Sequence, residues 1–129
     1  MSYFGTPMND SPVIVIQAAE EIAAPAFLAV TADGKVVKEA GVNALGIVTP
    51  DCDDKVAAGD DLTVQIKDIG LWLASGEIAV GDELTPDESG KAKKAEDGNF
   101  ITAIALSAAT KADQRVTVQI CKAGYAKKN

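Results

Sequence analysis

The chain has 129 residues and a net charge of −7; 47% of it is hydrophobic, yet only six residues are aromatic. That length suits one domain, with an interior built from Val, Ile, Leu and Ala, and the acidic balance argues against nucleic acid, whose phosphates need basic clusters. No apolar run approaches the ~20 residues that span a membrane, and the absence of histidine removes the usual general base, nucleophile activator and metal ligand.

The first twelve residues, MSYFGTPMNDSP, hold Gly5, Pro7 and Pro12 and predict an extended arm over 1–12. They also hold Tyr3, Phe4 and Met8, which a solvated tail seldom carries. These three are the candidate partner-binding anchors. With no basic residue and no apolar run, the segment is not a secretory signal, so synthesis in a reducing cytoplasm is expected. Cys52 and Cys121, in unlike contexts, are expected to be free thiols.

Beyond the arm, residues 13–124 read as strands. QAAEEIAA (17–24) and ALSAATKADQ (105–114) have helix propensity, but each is short enough for a turn or two at most. Asp33-Gly34 between AFLAVT and KVVK is a hairpin signal, and Ser89-Gly90 matches it further on. In LTVQIKDIG (62–70), Leu62, Val64 and Ile66 face one way while Thr63, Gln65 and Lys67 face the other, the period of a half-buried strand. VTVQICKAG (116–124) then repeats that phrase with Thr117, Val118, Gln119, Ile120 and Gly124. Upstream, IAAPAFLAVTADGKVVK (22–38) aligns with IAVGDELTPDESGKAKK (78–94), and ALGIV (44–48) fills the slot of FITAIAL (100–106). The units are 22–70 and 78–124, followed by a basic tail, 125–129.

The expected fold is all-β: a small, internally duplicated β-barrel or β-sandwich with an extended N-terminal arm. One copy is expected to be unable to close its own sheet, so that two halves share a single interior.

Chemistry is scarce. There is no G-x-S-x-G elbow, no P-loop and no dinucleotide fingerprint. Asp51, Asp53, Asp54, Asp60 and Asp61 could offer oxygens to Ca²⁺, but they lack the spacing and terminal Glu of an EF-hand, and turn formation is the preferred reading. Trp72, in GLWLASG, is expected in the core or a subunit interface, with an indole N–H that needs a partner if buried. No catalytic, cofactor-binding or metal residue is assigned, and no enzyme activity is expected.

With this pattern assembled, residues 20–124 resemble the capsid cement, or head decoration, proteins of tailed bacteriophages. Gly81-Asp82, Leu84, Asp87, Gly90 and Lys91 carry the resemblance; Ala103-Ile104-Ala105 stands in the place of the family's Gly-Ile-Ala-like phrase, which Gly46-Ile47-Val48 keeps in the first copy. The resemblance implies a non-enzymatic virion protein on the outer surface of an expanded head. It implies the major capsid protein as partner, a homo-oligomer with a trimer favoured, and no cofactor, nucleic acid or membrane. A second reading is a biotinyl or lipoyl carrier, because Lys35 and Lys91 follow turn glycines, although the Glu-x-Lys and Met-Lys-Met signatures of such tips are missing; a third is a non-catalytic subunit of a larger enzyme.

Overall fold

The alternating segments form strands, and their pairing sorts them into two antiparallel sheets of the same design. A computed structural model describes residues 12–23, 25–48 and 55–126, and every regular element among them is a β-strand. The first sheet is ordered β1 (Val13–Gln17), β7 (Asp61–Gln65), β5 (Gly46–Val48), β3 (Phe27–Val30) and β4 (Val36–Val37). The second is ordered β8 (Ile69–Leu73), β12 (Arg115–Tyr125), β11 (Phe100–Ala105), β9 (Glu83–Pro86) and β10 (Ala92–Lys94). A short pair, β2 (Ile22–Ala23) with β6 (Lys55–Val56), stands apart from both sheets.

The two sheets agree in register as well as in order. Val13 pairs with Gln65 and Gln65 with Ile47 in the first; Ile69 pairs with Gln119 and Gln119 with Ile104 in the second. Each sheet also curls back on itself. Ala18, just past β1, bridges Val36 in β4, while Ala74, just past β8, bridges Ala92 in β10. The next amide reinforces each seam, Ala19 N–H donating to the Val36 carbonyl at 2.9 Å and Ser75 N–H to the Ala92 carbonyl at 2.7 Å. Both seam alanines are fully buried, and a bulkier side chain would hold the sheet edges apart.

Closure decides where the core sits. The first barrel encloses Ala18, Ile22, Leu28, Val36, Val48, Leu62 and Val64; the second encloses Trp72, Ala74, Ile78, Leu84, Ala92, Ala105, Val116 and Val118. The expectation of one interior shared by two halves is therefore corrected to two interiors. Alternation shows that a strand has an apolar face, but not what covers it, and here each sheet covers its own.

The outer face of the first sheet supplies the joint. Phe27, Ala44 and Ile47 join the core of the second barrel, with the Phe27 and Trp72 rings 4.8 Å apart and tilted by 55°. The Gly90 carbonyl accepts both the Trp72 indole N–H at 2.7 Å and the Phe27 amide at 2.9 Å, which gives the buried indole its partner. Gly41 adds a second tie, its N–H donating to the Pro86 carbonyl and its own carbonyl accepting the Phe100 N–H, both at 3.0 Å. Gly90 has φ of +79°, and a Cβ there would lie 2.8 Å from the Ala26 Cβ. Gly34, in the matching turn of the first barrel, has φ of +77° but open space around it.

The limit of a turn or two of helix holds, and two expectations change. No helix occurs among the described residues of 17–24 and 105–114: Ile22 pairs with Val56, and Ala109 bridges Ile78. Barrel pairing outweighs the propensity of segments this short. The phrase LTVQIKDIG spans the joint and does not stay in one strand. Asp68, with φ of 70°, turns the chain into β8, and the Gln65 side chain holds that turn by donating to the Lys67 and Ile69 carbonyls at 2.9 and 2.8 Å. Finally, β12 runs through Tyr125, whose ring meets Phe100 edge-on at 5.1 Å, so the strand takes the first residue of the expected tail.

Candidate interaction surfaces

The anchors expected from the sequence, Tyr3, Phe4 and Met8, lie outside the described residues, as do Asp51, Cys52, Asp53 and Asp54. Of the acidic set, Asp60 serves a turn: its carbonyl accepts the Ala18 N–H at 2.9 Å and its N–H donates to the Ala57 carbonyl at 3.1 Å. Asp61 opens β7. Among the described residues, no three His, Cys, Asp or Glu side chains group closely enough to hold a metal ion. Nor is any helix there long and apolar enough to cross a membrane.

Lys91, one of the two lysines behind the carrier reading, is tied down at both ends. Its ammonium pairs with Asp113 and its N–H donates to Asp87 Oδ1 at 2.9 Å. Cys121 is a free thiol on β12, and burial, then the nearby Glu83 carboxylate, push its pKa up. A thiol held protonated is a weak nucleophile.

What the surface offers instead is apolar contact. On β8 the outward residues Ile69 and Leu71 are 59% and 48% exposed, while Trp72, next in the strand, points into the core. Beside them runs a groove of about 340 Å³ walled by Ile47, Val48, Gln65, Ile69, Leu71 and Thr117. It lies where the outer face of the first sheet meets the edge of the second. Exposed apolar surface arranged this way marks an interaction site more often than scattered single residues do. A second concavity, about 910 Å³ around Glu83, Lys94, Glu96, Asp97, Ile101 and Tyr125, carries charges of both signs. Sequence reasoning took Trp72 from this region and passed over its neighbours. The signal was present in IGLWL, a strand apolar on both faces, of which the fold covers the Trp72 face and leaves Ile69 and Leu71 open.

Comparison with known proteins fixes the context. Residues 8–120 match the family of phage cement proteins. The chain belongs to that family. It is thus a virion structural protein associated with the phage capsid. No curated protein matches the chain. Among solved structures, the fold is similar to the crystal structure of the head fiber gp8.5 N base of bacteriophage phi29. The TM-score is 0.68 at 20% identity, over 90% of this chain and 98% of that one. At that identity the likeness speaks to the fold, and the fold agrees.

Proposed function

We propose that this cement protein acts as a rigid two-barrel brace on the outer surface of the head, linking neighbouring major capsid subunits without catalysing any reaction. The observation that carries this reading is the joint. Two barrels of one design are fixed to each other by the Phe27–Trp72 contact, the double use of the Gly90 carbonyl and the Gly41 tie. A flexible linker would let two capsid subunits drift apart while both stayed bound; a packed joint transmits the load. The likeness to a head fiber base supports an exterior position. A homotrimer fits the same logic, because several protomers bound together gain avidity from effective concentration.

The reading is tested by heating expanded heads with and without the purified protein and following DNA release. The brace predicts later release with the wild-type chain and a smaller delay with Phe27→Ala at a temperature where both chains are folded. Equal delays for the two chains, or none with either, would reject it.

A further inference from the structure

We propose that the groove beside β8 is the seat of the chain's own N-terminal segment in the free protein, with Tyr3 and Phe4 lying against Ile69 and Leu71. The inference stands apart from the capsid reading and does not rest on it.

The place where the segment leaves the barrel is fixed. The Pro12 carbonyl accepts the Ile66 N–H at 2.8 Å, next to Gln65 in the groove wall. Val13 is in register with Gln65, and Gln65 with Ile47. Strands pair ~4.8 Å apart, so the groove floor at Ile47 lies only about 10 Å across the sheet from Val13. Asn9, Asp10, Ser11 and Pro12 form a cluster of turn-forming residues that can reverse the chain over this face. From Met8 to Phe4 an extended chain then covers ~13 Å, enough to pass Gln65 and reach the far wall.

The chemistry agrees with the reach. Ile69 and Leu71 give the groove its exposed apolar wall over the buried Ile47 and Val48, with Gln65 and Thr117 as its polar members. The segment's only charged side chain, Asp10, falls in the reversing part, while its aromatic residues fall in the part that arrives at the groove. About 340 Å³ is at the lower end of the range for ligand pockets, a size for one or two side chains and not for a folded partner. A short tether also gives the segment an effective concentration of order mM at its own groove, which favours it over a segment from another copy in dilute solution.

The test places a photo-crosslinking benzoylphenylalanine at position 4 of the full chain and irradiates a mixture of normal and heavy-isotope protein. Crosslinks to 46–48, 65, 69–71 or 117 within one isotopic chain are expected. Crosslinks between light and heavy chains would assign the groove to a neighbouring copy, and crosslinks elsewhere, or none, would leave it without this occupant; each of these overturns the proposal. Leu71→Gln in the groove should lower the same-chain yield about fivefold, equivalent to ~1 kcal/mol of contact. Val80→Gln, at an exposed residue outside the groove, should leave the yield unchanged. Equal yields from the two variants would also overturn the proposal.

Discussion

The two barrels share order, register and seam, yet their interiors are covered unequally. Among the described residues, only Ile120 packs partly buried against the core of the second barrel; against that of the first, Ile14, Ile16, Leu45, Val56 and Ile66 all remain partly exposed. The difference follows from the joint. The first barrel lends Phe27, Ala44 and Ile47 to its neighbour, and Trp72 in consequence is fully buried where its counterpart Ile16 is not. A repeated design is therefore buried unequally in its two copies, because the contact between copies has a direction.

The largest expected effect breaks that comparison at its centre. Trp72→Ala should cost ~3–5 kcal/mol in chemical denaturation. Ile16→Ala at the matching place should cost about half as much, since less of Ile16 leaves water. Equal costs would remove the asymmetry.

The paired turns sharpen it. Gly34→Ala suffers only its left-handed backbone, roughly 1–2 kcal/mol. Gly90→Ala adds a collision with Ala26, for a further ~1–3 kcal/mol. Thermal midpoints of the two variants should differ in that order; matching midpoints would mean that the turn of the second barrel does not press on the first.

A smaller effect should run the other way. Thr85 is fully buried with its Oγ1 lacking a hydrogen-bond partner, and Ala29 holds the equivalent place in the first barrel. Thr85→Val should stabilise the protein by ~1 kcal/mol, because a buried hydroxyl without a bond is removed at nearly constant volume. A lower melting temperature would show that the hydroxyl is satisfied.

The smallest effect concerns Glu83, which stands where the first barrel has Phe27 and keeps that face of the second barrel polar. Its charge helps hold the Cys121 proton, so Glu83→Gln should move the pH midpoint of Cys121 alkylation downward. Because the native thiol keeps its proton longer than the unfolded one, its contribution to stability is present below the ordinary thiol pKa. That contribution fades as pH rises through the folded value. An unchanged or higher midpoint would contradict the assignment.

Much of this was legible in the sequence, for reasons the registers make plain. Thr63, Val64 and Gln65 pair as Thr117, Val118 and Gln119 do, so the repeated phrase marked equivalent backbone. The Gly70 and Gly124 identity did not: Gly70 pairs with Val118 inside β8, and Gly124 pairs with Ile101 near the end of β12. The repeat also reaches upstream of residues 22 and 78. VIVIQA (13–18) and IGLWLA (69–74) hold matching places while sharing only their last residue. Backbone pairing tolerates such exchange; identity therefore fades where the register persists. The groove was hidden for a related reason. In sequence Ile69 and Leu71 do not differ from residues of the core, and only the inward direction of Trp72 shows that they face out.

The central claim is that two closed barrels, held rigid by one joint, brace adjacent capsid subunits from outside. Cryo-electron imaging of expanded heads mixed with the protein tests it most directly. The account predicts added exterior density in which both barrels of each protomer are resolved in the joint geometry described above and together touch two neighbouring subunits. Density on the inner face, or protomers seated on a single subunit, would contradict it.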